Sequence, residues 1–275
     1  MKSTALIALL IGFIVTPLLA EQAAPKAPEI AAHRGESYDA PENTMAAFEL
    51  AWKRGDDAVE LDIHLSADGK LIVSHDTDTS RATGEKLLIK EQSAESLRKL
   101  DAGKWKGEAF VGQKLPLLGE VLATIPAGKR LFIEVKVGPE AIAPLAEALK
   151  IAGKTPEQTV IISFNIESIR EARKVLPAIK AYWLAAQKQD KQTGAWTPSL
   201  AELISKAKGA SASGLDVSAA KAPVDAAFVK AVHDAGLECY VWTIDDPALA
   251  RKLAAAGVDG ITTNRAAWLR EQLKK

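Results

Sequence analysis

Short apolar runs of strand length recur eight times along this chain, separated by stretches of helical spacing. That alternation limits the fold more than any other feature. The runs are Ile30–His33, Ala58–Asp62, Leu131–Lys136, Val160–Phe164, Ala181–Leu184, Gly214–Val217, Cys239–Thr243 and Gly260–Thr263. Met45–Arg54 has apolar residues at helical spacing, Asn43-Thr44 as cap candidates, and Gly55 as its stop. Glu140–Ile151, Ile166–Val175, Pro198–Ala207, Asp225–Ala235 and Pro247–Ala256 behave alike, and most end at a Gly or Pro. Strands alternating with helices form a parallel sheet covered by helices. Eight such units in a chain of 275 residues fit a closed α/β barrel, (β/α)8 or TIM, better than an open sheet. No repeat of solenoid period is present.

One stretch breaks the alternation. Only Ile63–Lys70, including Asp68-Gly69, separates the second run from Leu71. A parallel crossover needs about a dozen residues or more. Leu71–Asp76 is therefore expected to return antiparallel, as a hairpin that brings His75 back to the barrel's C-terminal rim. Residues 77–115 carry no clear strand, and only Ser93–Leu100 reads as helical. The segment is expected as a small insertion after the second barrel strand, beside the mouth.

The first residues read differently from the rest. Lys2 precedes a 12-residue apolar run, Ala5–Thr16, followed by Pro17-Leu18-Leu19-Ala20 and then Glu21. Such a run is short of the roughly 20 residues needed to span a bilayer. It reads as a signal peptide, residues 1–20, with 21–28 as a linker and 29–275 as the barrel domain. Export to the periplasm or the medium is expected, with no stable membrane anchor after cleavage. The 35 basic and 35 acidic residues balance, so nucleic acid is not an expected partner. The single cysteine, Cys239, excludes an intrachain disulfide and a multi-cysteine metal site.

Polar residues collect at the ends of the strands, where barrel enzymes place their chemistry. His33-Arg34-Gly35 ends the first, and an arginine there can grip a phosphate or carboxylate. Alternation puts Glu60 and Asp62 on one face of the second strand, away from Val59, Leu61 and Ile63. Two carboxylates side by side need a cation between them, and hard oxygen ligands suit Mg²⁺ or Ca²⁺. On spacing alone, ion pairs with rim lysines or arginines serve as well. His64 shares that face in strict alternation, or is a hydrogen-bonded residue of the hairpin. Ser74-His75-Asp76 ends the return strand, and Glu134 and Lys136 share a face at the end of the Leu131–Lys136 run.

In order along the chain, His33-Arg34-Gly35, Pro41-Glu42-Asn43-Thr44, Glu60-x-Asp62, Asp68-Gly69, His75-Asp76 and Glu134-x-Lys136 resemble the glycerophosphodiester phosphodiesterase family. Arg81-x-Thr83-Gly84, Ser163-Phe164 and Trp242-Thr243 are smaller matches, and the resemblance covers nearly all of Ile30–Leu269. It implies a TIM barrel with an inserted subdomain. It implies that Glu60, Asp62 and Glu134 hold one divalent cation, calcium or magnesium, and that His33 and His75 are the acid–base pair. Arg34 and Lys136 then lie around the phosphate, and Phe164 and Trp242 line the substrate pocket. Glu42 and Asn43 stand beside the site. Two places depart from the family pattern. Thr263-Asn264-Arg265-Ala266 stands where an aspartate and a proline usually end the last strand, and Leu115-Pro116-Leu117-Leu118 replaces the commoner Pro-Thr-Leu. Both bear on substrate choice more than on chemistry.

The expected activity is hydrolysis of a soluble glycerophosphodiester to sn-glycerol 3-phosphate and an alcohol. Two rivals remain at this stage: a related barrel phosphodiesterase acting on lysophospholipids or phospholipids, and an exported binding protein without turnover. The choice of metal, the head group, the roles of the two histidines and the oligomeric state are not read from the sequence.

Overall fold

In the computed structural model, which describes residues 27–275, all the expected barrel strands form. The expected leader and most of the linker lie outside the described residues. In chain order the first half holds β1 (Glu29–Ala32), α1 (Met45–Lys53), β2 (Ala58–Leu65), β3 (Leu71–Val73), α2 (Ser80–Thr83), α3 (Ala94–Leu97), α4 (Leu118–Thr124), β4 (Arg130–Val135), α5 (Ile142–Ala152), β5 (Thr159–Ser163) and α6 (Ile166–Val175). The second half holds β6 (Lys180–Ala185), β7 (Lys188–Gln189), β8 (Trp196–Thr197), α7 (Leu200–Gly209), β9 (Gly214–Ser218), α8 (Ala226–Asp234), β10 (Glu238–Trp242), α9 (Pro247–Ala256), β11 (Gly260–Thr263) and α10 (Ala266–Leu273). The barrel strands run β1-β11-β10-β9-β6-β5-β4-β2, and β1 pairs directly with β2 to close the ring. Every pairing in that ring is parallel. The closed (β/α)8 barrel is the fold the alternation demands.

Val59, Leu61 and Ile63 of β2 and Leu131 and Ile133 of β4 face outward into the large core shared with Phe48 of α1 and Leu122 of α4. The inward positions form a second core of Phe132, Val160, Ile162, Tyr182, Leu184 and Tyr240. Tyr182 and Tyr240 stack at 4.9 Å, and Phe132 meets Tyr240 at 5.4 Å. These rings plug the barrel. Gly260 makes room for them, since a Cβ there would come within 2.1 Å of the Tyr240 ring. With apolar bulk filling one end, the polar inward residues Glu60, Glu134 and Asp216 are left facing a cavity at the other.

The hairpin forms as expected but is shorter. β3 pairs antiparallel with β2 over Leu71–Val73, and Ser66 closes the turn by accepting from the Lys70 N–H at 2.9 Å and donating to Asp68 at 2.6 Å. His75 and Asp76 lie beyond the strand, so strand alternation does not hold them apart. The insertion has its own small core, in which Ile72 of β3 packs with Ile89, Ala94, Leu97, Ala102 and Leu115. The helix expected at Ser93–Leu100 shrinks to Ala94–Leu97, with Ser93 as its cap. The short helices α2 and α4, the terminal α10 and the β7–β8 ribbon carry patterns too brief, or too close to the chain end, for the sequence reading to include them.

Candidate active site

The loop after β1 turns sharply and carries the first functional groups. Arg34 and Gly35 both take left-handed conformations, at φ 56° and 81°. At Gly35 the requirement is also steric, since a Cβ would lie 2.7 Å from Ala47 in α1. The turn lets the Arg34 backbone N–H donate to Glu60 Oε2 at 2.9 Å while its guanidinium bridges Glu42 at 2.8 Å and Asp62 at 3.3 Å. Asn43, also left-handed, donates from Nδ2 to Asp62 Oδ2 at 2.7 Å. Glu42 additionally holds Arg81 of α2, which ties the insertion to the site.

Glu60, Asp62 and Glu134 converge because β2 and β4 are adjacent and in register, with Asp62 opposite Glu134. One carboxylate oxygen from each lies within 4.8 Å of the others. Two ligands of one calcium ion, each at about 2.4 Å, can be no farther apart than that. Glu60 Oε1 and Asp62 Oδ1 are buried with no hydrogen-bond partner among the described residues. Burial and the two neighbouring acids push the Glu60 carboxyl well above its ordinary range. Burial and Asp62 push Glu134 up to about 7 against the pull of Lys136. For Asp62, burial acts upward, but Arg34, Lys136, His75 and the Asn43 hydrogen bond outweigh it and hold the carboxyl low. Lys136 Nζ lies 2.8 Å from Glu134 and 3.5 Å from Asp62. Buried, mutually repelling carboxylates at this spacing, with two of their oxygens lacking a hydrogen bond among the described residues, fit a hard divalent cation.

The two histidines face the same cavity with different partners. His33 Nδ1 meets Asn264 Oδ1 at 2.7 Å. Asn264 is oriented by Asp245, which accepts from its Nδ2 at 2.6 Å and its backbone N–H at 2.9 Å. The amide therefore presents oxygen to His33, so Nδ1 carries the proton and Nε2 the lone pair. Burial, with the Arg34 charge adding to it, pulls the His33 ring down to about 4. His75 Nδ1 instead meets a carboxylate, Asp76 Oδ1, at 2.6 Å. Asp76 is held down to about 2, because Arg81 and His75 outweigh its partial burial. His64 points away from this work, its Nε2 bonding the His75 carbonyl at 3.1 Å, so it is the structural residue of the hairpin.

His33, Arg34, Glu60, His75, Glu134, Lys136, Phe164 and Trp242, all named from the sequence, line one cavity of about 110 Å³. Phe164 meets Trp242 edge to face at 5.5 Å, forming its aromatic wall. Asp62, Glu42 and Asn43 stand directly behind. The sequence names Asn264 only within a departure that bears on substrate choice, whereas it meets His33 and so bears on the chemistry; Asp245 and Asp216 are not among the residues read from the sequence. Asp216 had a signal: a charged residue at an inward position of an apolar parallel strand.

A model of the glycerophosphoryl diester phosphodiesterase family matches residues 33–267. The chain belongs to that family. Among its relatives, the glycerophosphodiester phosphodiesterase of Caldanaerobacter subterraneus subsp. tengcongensis is 34% identical over 241 residues, covering 86% of this chain and 93% of the relative. One from Bacillus subtilis is 32% identical over 276 residues, covering 93% and 91%. Among solved structures, an Oleispira antarctica phosphodiesterase in complex with the product sn-glycerol-3-phosphate superposes with a TM-score of 0.80 at 28% identity, covering 90% of this chain and 98% of that one. The glycerophosphodiester phosphodiesterase of Agrobacterium tumefaciens gives 0.73 at 28% identity, covering 89% and 99%. The protein is therefore an enzyme of the glycerophosphodiester phosphodiesterase class, with a small-molecule substrate and a buried acidic triad able to hold a divalent cation.

Proposed function

We propose that the chain hydrolyses soluble glycerophosphodiesters to sn-glycerol 3-phosphate and an alcohol, with a divalent cation at Glu60, Asp62 and Glu134 and with His33 and His75 as base and acid. The observation that carries the reading is the convergence of these five side chains with Arg34 and Lys136. When bound, the cation supplies charge to offset that building on the phosphoryl oxygens. Arg34 and Lys136 add fixed positive charge at the same place. Phe164 and Trp242 close one wall and limit water.

The roles of the histidines follow from their partners. The Asp245–Asn264 chain presents an unprotonated Nε2 on His33, and burial beside Arg34 keeps that ring neutral. A neutral ring accepts the proton of the attacking hydroxyl, either water or the glycerol 2-hydroxyl, and in the second case a water then opens the cyclic phosphate by breaking its bond from phosphorus to the 2-oxygen. His75 faces a carboxylate, a better partner for a ring that carries a second proton than a neutral amide is. His75 therefore donates to the leaving alkoxide as the phosphorus–oxygen bond breaks, so one proton enters at His33 and one leaves at His75.

Export accompanies this reading, supported by the apolar run at Ala5–Thr16. Among the described residues, no helix is long and apolar enough to cross a membrane.

The test is phosphorus NMR of residues 21–275 with glycerophosphocholine, in Ca²⁺, in Mg²⁺ and in EDTA. The expected result is appearance of glycerol 3-phosphate with metal and none with EDTA. Turnover of lysophospholipids alone would overturn the soluble-substrate reading. Binding of glycerophosphocholine without turnover in either metal would overturn the enzymatic one.

A further inference from the structure

Across the barrel from the acidic triad, a fourth buried carboxylate has no part in the chemistry above. Asp216 lies on β9, in register with Leu184 of β6 and Tyr240 of β10. In the eight-strand ring, β9 stands opposite β2. Asp216 is 1% exposed, and among the described residues its sealed Oδ1 has no hydrogen-bond partner. Trp242 Nε1 donates at 3.1 Å to its backbone carbonyl, not to its carboxyl. The residue shares the cavity wall with Ile162, Phe164, Leu184 and Trp242, and it stands outside the triad's set of ligand oxygens. A buried carboxyl without a partner is costly, and no side chain among the described residues donates to it. A ligand that donates hydrogen bonds into this half of the cavity offsets the cost.

We propose that Asp216 is the floor of a subsite for the glycerol unit of the substrate, accepting from its free hydroxyls while its carbon chain lies against Leu184, Ile162 and Trp242. The assignment rests on the phosphodiesterase reading, which places the phosphate on the opposite side, between Arg34, Lys136 and the triad. Two observations favour glycerol over the alcohol it is joined to. A quaternary ammonium has no N–H to give, so a choline group leaves Asp216 Oδ1 without a hydrogen bond, whereas a diol can supply one. The floor of a narrow cavity suits the unit common to every glycerophosphodiester, and the variable alcohol then faces the rim, where Phe164 is 49% exposed. Burial, with Glu134 adding to it, pushes the Asp216 carboxyl up to about 8, which also matches a neutral polyol.

The experiment is calorimetric binding to the Ca²⁺-loaded protein of sn-glycerol 3-phosphate and of n-propyl phosphate, which share the phosphate and differ in the hydroxyls. The wild type is expected to prefer glycerol 3-phosphate by roughly 10- to 100-fold, the range for two hydrogen bonds to a neutral carboxyl. Asp216→Ala should abolish the preference, and Asp216→Asn, which keeps one acceptor, should retain part of it. The Asp216→Asn protein should melt no lower than the wild type, because it loses an unpartnered buried acid. No preference in the wild type, or an undiminished one in Asp216→Ala, would overturn the proposal. So would equal weakening of Ca²⁺ and of both phosphates, which would put Asp216 in the metal site instead. None of these readouts needs turnover, so failure of the activity itself would show separately in the NMR assay.

Discussion

His33 and His75 face one cavity, but the second nitrogen of each ring meets a different kind of group: an amide oxygen fixed by Asp245 at one, a carboxylate at the other. The difference is one of charge, and it makes the two substitutions distinguishable. His33→Ala and His75→Ala should each lower kcat by roughly 10²–10⁴-fold, the usual contribution of a positioned acid or base. Both proteins should keep Ca²⁺ affinity, because neither ring is among the triad's ligand oxygens. A substrate with a nitrophenol leaving group, which departs without protonation, separates them: it should rescue His75→Ala and not His33→Ala. Measured kcat ratios on nitrophenyl and alkyl diesters check this, and rescue of the His33 variant instead would reverse the assignment.

At the scale of elements, the β1–α1 loop carries most of the site's precision. Gly35→Ala forces an L side chain into a left-handed conformation, at ~1–2 kcal/mol, and its Cβ also meets Ala47 at 2.7 Å. The substitution should lower stability by at least that amount in urea unfolding, and lower activity by displacing Arg34. A stable variant with normal activity would mean that the loop is not held by α1. This loop also shows what could be read in advance. Periodicity located β1, β2 and α1, because a barrel strand is apolar on both faces and a surface helix on one. Strand alternation placed Glu60 with Asp62, and Glu134 with Lys136. It could not place Asn264 beside His33, because that contact joins residues 231 positions apart through the closure of β11 on β1. Nor could it set His75 against Asp76, whose geometry depends on β3 ending at Val73. Asp216 stood in a recognisable strand, but only ring closure shows which residues it faces.

For the molecule as a whole, the buried acids couple folding, protons and metal. Glu60 is raised well above its ordinary range, Glu134 to about 7, and Asp216 to about 8. Each of these carboxyls holds a proton in the folded protein at pH values where the unfolded chain, with carboxyls near 4, has released it. The metal-free protein is therefore stabilised at low pH and loses that stability as pH rises from about 4, by up to about 1.4 kcal/mol per pH unit for each proton involved, until each carboxyl has titrated near 7 or 8. His33 acts in the opposite sense, since its ring is pulled down to about 4, but only as pH falls below about 6.5. Between pH 6.5 and 8.5 the acids decide the sign. A divalent cation needs Glu60 and Glu134 ionised, so its binding expels their protons and tightens with pH. Two slopes of opposite direction follow. In EDTA the unfolding temperature should fall from pH 6.5 to 8.5, and the increment produced by a fixed Ca²⁺ concentration should grow over the same range. Calorimetric titrations in buffers of different ionisation enthalpy should show net proton release on Ca²⁺ binding at pH 6.5. An increment equal at both ends of the range, with no proton released, would mean that Arg34 and Lys136 already keep the triad ionised. The triad would then be a fixed anionic site, with no exchange of protons for metal.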